Sequence, residues 1–410
     1  MNILQKYPNP AELIQWFDSL KKDKVYEVNG HVHTPFSFSA FSDIPAIFEM
    51  AKKENIKAVG INDFFVSDGY AYFYEEAIKS SVFPLFNIEF IGLLKDEQAK
   101  GIRINDPNNP GRCYFSGKGL THPFTLPKEL DNKLTSVVKE SQLQVQSMVD
   151  KANAWFTEIN AGITLDFAQL KKKFAKELVR ERHIAKAIRV AVYDKVADEA
   201  GRKELFKLIY GGKDSKVAMD DIPGLENEIR GNLLKLGGKA FVEEDDKAFM
   251  SIDEVIKIIV AAGGIPCYPV LLDDKAGTYT EYEGNNEKLL AELTKRNIGC
   301  IELIPGRNDA KHLANFVNFF NSKGFVISFG TEHNAPDMIP LTCDTRGKKA
   351  LEADMRKISF EGACVIAAHQ YLKAKDLPAF VDVTTGKTDI ARKDYFVKLG
   401  KAVIEKFITE

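Results

Sequence analysis

Cysteine is sparse in this chain and unpatterned. There are five in 410 residues, Cys113, Cys267, Cys300, Cys343 and Cys364, odd in number and without a C-x-x-C pair. That argues against a disulfide framework and fits reduced thiols. A long apolar run is also missing. Nothing approaches the roughly 20 consecutive apolar residues that cross a bilayer, and the start, MNILQKYPNP, lacks the basic and apolar regions of a secretory leader. A soluble, cytoplasmic protein is the expectation. Nor is one sign of charge in excess. The formal net charge is −2 with 28% of residues charged, so no overall field favours nucleic acid or a membrane surface, and neither is expected as a partner. Any anion must be recognised locally. What remains is an ordinary globular composition, 45% hydrophobic, long enough for one large α/β domain with an insertion or for two to three smaller ones.

The stretch that organises the chain is His31-Val32-His33, followed by Thr34-Pro35. Side chains at i and i+2 of a strand project to one face, and the segment from Tyr26 to His33 reads as a strand running into a Pro-broken loop. Two imidazoles therefore aim at one point, and imidazole is the commonest nitrogen donor to Zn, Mn or Fe. Two partly exposed histidines beside a turn are the plainer reading of the same residues.

Around this pair the pattern is α/β. Pro10 to Lys22 reads as a docking helix, Asp43 and Pro45 open a helix through Lys53, and Ile56 to Ile61 is a strand ending at Asn62-Asp63-Phe64-Phe65. A helix from Tyr70 to Ser80 leads to a strand, Val82 to Phe90, that holds one acid, Glu89. An ionisable group inside an apolar run needs a partner or a metal, unless it sits at the solvent end. Arg112 to Ser116 is a further strand leading into Gly117-Lys118-Gly119, whose spacing from Gly111 and lack of Ser or Thr reject a Walker A loop. Lys118 there is either a solvated turn lysine or an anion contact. From Asp131 to Ser251 strand signals give way to Lys, Glu, Ala and Leu, which reads as a helical insertion. Arg180-Glu181-Arg182-His183 within it is either a salt-bridged surface or a phosphate clamp over a site. The alternation resumes with a helix from Ile252 and strands at Ile265 to Pro269, Ile298 to Ile304 with Glu302, and Gly324 to Phe329. A last short strand is expected at Gly362 to Ala368 within an otherwise helical end. Strand exits repeatedly carry His, Asp, Glu or Asn, as at the mouth of a closed parallel α/β barrel.

In this order the residues resemble the PHP (polymerase and histidinol phosphatase) superfamily, in particular its stand-alone phosphoesterases. His31-Val32-His33-Thr34 stands for H-x-H-[ST], Gly60-Ile61-Asn62-Asp63-Phe64 for G-[IL]-T-D-H, and Ile88-Glu89 for [IV]-E. Ala262-Gly263-Gly264-Ile265-Pro266-Cys267-Tyr268-Pro269 stands, contracted, for A-G-G-x-x-x-A-H-P, and Gly330-Thr331-Glu332-His333-Asn334 for G-S-D-x-H. Ile163-Thr164-Leu165-Asp166 and Arg182-His183-Ile184-Ala185 echo I-T-x-E and R-P-H-I-A. The resemblance implies a distorted (β/α)7 barrel over 1–130 and 252–410, interrupted by the helical insertion 131–251 and closed by a helical C-terminal extension.

It also implies a divalent metal, Zn, Mn or Fe, held by His31, His33, Glu89 and Glu332. The family's second metal site is matched here by Tyr114 and Tyr268, and the third by Phe64 and Asn334, so one site is expected to survive. An Asn334 amide oxygen, the His333 imidazole or a Cys267 thiolate are the available rescues for a second. The expected activity is hydrolysis of a small-molecule phosphate ester by an activated water, with Asp63 or His333 as general base. Lys118, Tyr268, Arg182, His183, Arg307 and Asn334 are the candidate substrate contacts, although the family's insertion arginine falls on Glu181 here. An ester or amide substrate remains admissible. The alternative is an inactive barrel that binds a metal or small ligand without turnover.

Overall fold

The computed structural model describes residues 2–22, 24–274 and 276–410. Its sheet is built from β1 (Glu27–Val32), β2 (Ile56–Phe64), β3 (Phe83–Leu93), β4 (Arg112–Lys118), β5 (Met250–Ser251), β6 (Ile265–Val270), β7 (Cys300–Leu303) and β8 (Val326–Phe329). The order is β1-β2-β3-β4-β6-β7-β8, with the short β5 paired to β3. The curve closes where the exit of β8 meets β1. Val32 bridges Glu332 in parallel, and the His33 amide donates to the Glu332 carbonyl at 2.8 Å. The result is a nearly closed, distorted (β/α)7 barrel, as the sequence implies.

One strand departs from the parallel expectation. β4 runs antiparallel to both β3 and β6. A parallel crossover is normally carried by a full helix, and the β3–β4 connection offers only α4, the five residues Lys95–Ala99. The reversal turns the barrel end for end at this strand, so Arg112 lies towards the mouth and Lys118 pairs with Ile265, the first residue of β6.

Helices α1 (Pro10–Ser19), α2 (Ile44–Lys53), α3 (Tyr70–Ser80), α10 (Ile252–Ala261), α11 (Asn286–Lys295), α12 (Ala310–Ser322), α13 (Ala353–Ala374) and α14 (Lys393–Thr409) surround the sheet. Their starts follow local chemistry. Asp43 caps α2 ahead of Pro45, and Ser251 with Glu254 forms a reciprocal capping box on α10. The strand expected at Gly362 to Ala368 is instead the middle of α13. That helix is buried on nearly every side, so it has no polar stripe and its apolar run imitates a strand.

Between β4 and β5 lie α5 (Lys128–Glu158), α6 (Phe167–Phe174), α7 (Glu181–Lys195), α8 (Glu199–Ile209) and α9 (Ile222–Ile229). They enclose a core of their own, including Phe156, Ile184, Ile188, Phe206 and Leu225. α5 spans both cores: Leu134 and Val137 pack into the barrel core, and the residues from Val145 onward into the second. The segment before α7 returns to the barrel, where the Lys176 and Leu178 amides donate to the carbonyls of Pro35 and Phe36 at 3.2 and 3.0 Å.

Candidate metal centre

β1 delivers His31 and His33 at its exit, both buried, with their Nε2 atoms 3.2 Å apart. Glu89 comes from β3, with Oε2 3.3 Å from His33 Nε2. One donor atom from each of these three lies within 4.8 Å of the other two. Donors bound about 2.0–2.2 Å from a single cation at tetrahedral or octahedral angles sit about 3.0–3.5 Å from one another, so the spacing fits one divalent ion. Burial pushes the Glu89 carboxyl up and the His33 imidazole down, which disfavours charge on both in the absence of a counter-ion.

The support behind these donors is built from the barrel interior. His31 Nδ1 lies 2.9 Å from Glu302 Oε2 on β7, which fixes the ring and leaves Nε2 for coordination. Ser116 Oγ donates to the same oxygen at 3.2 Å, and Lys118 Nζ forms an ion pair with the other. Lys118 also donates to Asn62 Oδ1 at 3.1 Å. Burial works against charge on Glu302, but Lys118 and then His31 outweigh it and hold the carboxyl at about 2. Lys118 is thus neither a turn residue nor solvated: it ends β4, is fully buried, and reaches along the interior of the barrel.

Asp63, at the exit of β2, accepts from the Thr34 amide at 2.7 Å, the Thr34 hydroxyl, and Ser37 Oγ at 2.6 Å. It pins the turn after His33 and lies 4.0 Å from His33 Nδ1. Glu332 follows β8 in the left-handed region, at φ 62°, as does His333 at φ 54°. Such backbone is sterically sparse for non-glycine residues and is held here by the Glu332 amide donating to the His31 carbonyl at 3.0 Å. The Glu332 carboxylate stands outside the group of three. It is paired with Arg307 and accepts from Asn334 Nδ2 at 2.6 Å. Burial opposes its charge, and Arg307, His31 and His33 together hold its carboxyl low. His333 uses its ring nitrogens on Thr331 Oγ1 at 2.7 Å and the Ile339 carbonyl at 2.9 Å, and stacks on Phe41.

The remaining predicted residues separate. Tyr268 donates its hydroxyl to Glu283 at 2.8 Å, and burial raises the phenols of both Tyr268 and Tyr114, so neither favours a phenolate ligand. Burial likewise raises the Cys267 thiol. Phe64 stacks on His33, with ring centroids 5.0 Å apart. Arg182 lies over Phe38 and donates to Asn227 at 3.2 Å; His183 is buried, accepting from the Arg180 amide at 2.9 Å. Glu302 went unassigned in the sequence, although a single acid in Cys300-Ile301-Glu302-Leu303 carries the same signal as Glu89. Asn62 and Ser116 had no such signal, and Arg180 was legible only as part of the cationic run Arg180-Glu181-Arg182-His183.

Fold and site together define an α/β barrel with a group of candidate metal ligands at its mouth. The family model of the PHP domain matches residues 29–155, which contain His31, His33, Asp63 and Glu89. No curated protein matches the sequence. A candidate metal-dependent phosphoesterase from Bifidobacterium adolescentis shares the fold, with a TM-score of 0.53 and 14% identity over 82% of this chain and 96% of that one. An amidohydrolase from Chromobacterium violaceum, solved with sulfate and no metal, aligns with a TM-score of 0.48 and 14% identity over 81% and 96%. No helix among the described residues is long and apolar enough to cross a membrane.

Proposed function

We propose that the protein is a metal-dependent hydrolase acting on a small anionic phosphate ester. The observation that carries this is the convergence of His31, His33 and Glu89 at coordinating separations, inside a PHP domain. The resemblance to a candidate phosphoesterase of the same fold supports the phosphate ester. A divalent cation bound there supplies a water of lowered pKa and polarises the scissile group. One cation is proposed, Zn, Mn or Fe, because the residues matching further sites are Phe64, which has no donor, Asn334, whose amide is engaged by Glu332, and two phenols kept neutral by burial.

Each residue of the chain then has a task. Glu302 orients His31 through Nδ1, and Lys118 neutralises Glu302. Asp63 holds the His33 turn, with its oxygens engaged by Thr34 and Ser37. Glu332, kept ionised beside the histidines, is the fourth ligand position and the acceptor in reach for a proton from water, while Arg307 and Asn334 aim it. Arg307 is half exposed and offers the rest of its guanidinium to an anionic substrate. Five buried free cysteines fit a reducing compartment, and we propose a cytoplasmic location on that ground.

The test is elemental analysis of protein purified without added metal, followed by hydrolysis of a phosphomonoester, a phosphodiester and a carboxyl ester. The expectation is about one metal per chain, with turnover lost on chelation and in His33→Ala, whose far-ultraviolet circular dichroism stays unchanged. Bound metal with no turnover of any substrate class would overturn the hydrolase in favour of an inactive binding barrel.

A further inference from the structure

Ser37 is fully buried in the loop after β1, and its one hydroxyl proton lies between two neighbours. Its Oγ is 2.6 Å from Asp63 Oδ1 and 3.3 Å from His33 Nδ1. A hydroxyl donates once and accepts twice, so the direction of the shorter contact decides that of the longer. Asp63 Oδ1 also receives the Thr34 amide at 2.7 Å, and an amide N–H can only donate. The Thr34 hydroxyl donates to Oδ2. The carboxylate is thus the acceptor throughout, and the Ser37 proton points to it, where the charge makes the hydrogen bond stronger. Ser37 therefore turns a lone pair to His33. Nδ1 must carry the ring hydrogen, and in a neutral imidazole Nε2 must then lack one. Burial holds this imidazole below its ordinary value, so the ring is neutral above pH 7.

The backbone holds this relay in place. The Ser37 amide donates to the Thr34 carbonyl at 3.1 Å and the Phe36 amide to Thr34 Oγ1 at 3.3 Å, closing a tight turn directly after the histidine. The opposite tautomer has an outlet of its own: a hydrogen on His33 Nε2 would face Glu89 Oε2, 3.3 Å away, and would close that nitrogen to a metal. Something has to select against it. With Nδ1 protonated on both rings, His31 by Glu302 and His33 by Ser37, the two Nε2 lone pairs face each other across 3.2 Å with the Glu89 carboxylate beside them. One cation satisfies all three acceptors.

We propose that Ser37, oriented by Asp63, is a positioning residue that locks His33 in the Nδ1–H tautomer and so presents Nε2 to the metal. The tautomer follows from the hydrogen bonds alone, and its use rests on the metal centre behind the hydrolase reading. Long-range proton–nitrogen spectra of metal-free protein, with its seven histidines labelled in the ring, read the tautomer directly at about pH 8, and His33→Ala assigns the signal. The wild type should show His33 protonated at Nδ1. A ring protonated at Nε2, or an even mixture, overturns the proposal without any variant of Ser37. In Ser37→Ala the Nε2–H form should gain population, and zinc affinity, measured against a competing chelator, should fall about 10–100-fold. Ser37→Thr, which keeps the hydroxyl, should hold the wild-type tautomer and most of the affinity. Zinc affinity within about twofold of wild type in Ser37→Ala overturns the proposal, a loss of the size typical for a ligand's supporting partner being absent. The two readings fail separately. A wild type that shows the Nδ1–H ring, lost in Ser37→Ala, but takes up no metal supports the relay and overturns the metal centre; full zinc binding with an unchanged tautomer in Ser37→Ala overturns the relay and keeps the centre.

Discussion

At the scale of the residue, the centre depends on a buried ion pair behind it as much as on the donors themselves. Glu302 faces His31 with one oxygen and Lys118 with the other, and both charged side chains are almost fully buried. Removing one partner of such a pair strands the other in low dielectric and costs about 3–5 kcal/mol, whereas removing both is far milder. Glu302→Leu should therefore destabilise by about that amount and also weaken metal binding about 10–100-fold, since His31 loses the acceptor that orients it. In the double variant with Lys118→Met, urea unfolding should show most of the stability restored. A competing chelator should show metal affinity still low. Full recovery of affinity in the double variant would mean that Glu302 does not position His31. That His31, His33 and Glu89 converge was legible in the sequence, because H-x-H and a lone acid in an apolar strand are local signals. Lys118 was not, since its burial follows from the reversed direction of β4, a relation between strands that no local pattern encodes.

At the scale of the element, the decisive contact is between the exit of β8 and the exit of β1. A Cβ on Gly330 would stand 2.3 Å from His31 Cβ and 2.8 Å from the His31 nitrogen, so β8 lies this close to the ligand strand only because the residue is glycine. Gly330→Ala should push the two strands apart, costing about 1–3 kcal/mol and loosening the metal site, because the displaced atoms belong to a ligand. Unfolding and metal titration on the same variant check this; unchanged metal affinity alongside lost stability would separate the strand contact from the site. Much of the element pattern could be read from periodicity and caps, as at Tyr70–Ser80, where helix limits are as the sequence implies. Periodicity failed for α13, whose burial on most sides removes the polar stripe that marks a surface helix. It also could not reveal that α5 joins two cores, because an amphipathic stripe shows that a helix packs, not against what.

At the scale of the whole molecule, acid sensitivity should come first from histidines that the site does not use. His369, in the middle of α13, bonds the Gly263 carbonyl through Nε2 at 2.7 Å, while its buried Nδ1 has no hydrogen-bond partner among the described residues. Burial is the main cause of a pKa lowered to about 4. His183 is lowered to about 3, again chiefly by burial. With a folded value below the unfolded one of about 6.5, the unfolded chain binds the extra proton between these values, so stability is full above pH 6.5 and is lost as the pH falls. For His369 the loss by pH 4 is about 3 kcal/mol. Asp63 and Glu89, raised by burial, act in the opposite direction in the metal-free protein, so the histidine contribution must be read as a difference. His369→Gln keeps an N–H for Gly263 and cannot take up the proton. Denaturant unfolding of the metal-free wild type and this variant should give curves that run together above pH 7 and separate below pH 6, with the wild type the less stable. Parallel curves down to pH 4 would show that the α13 interior accommodates the imidazolium, and the acid limit of the fold would then lie with the carboxylates of the centre.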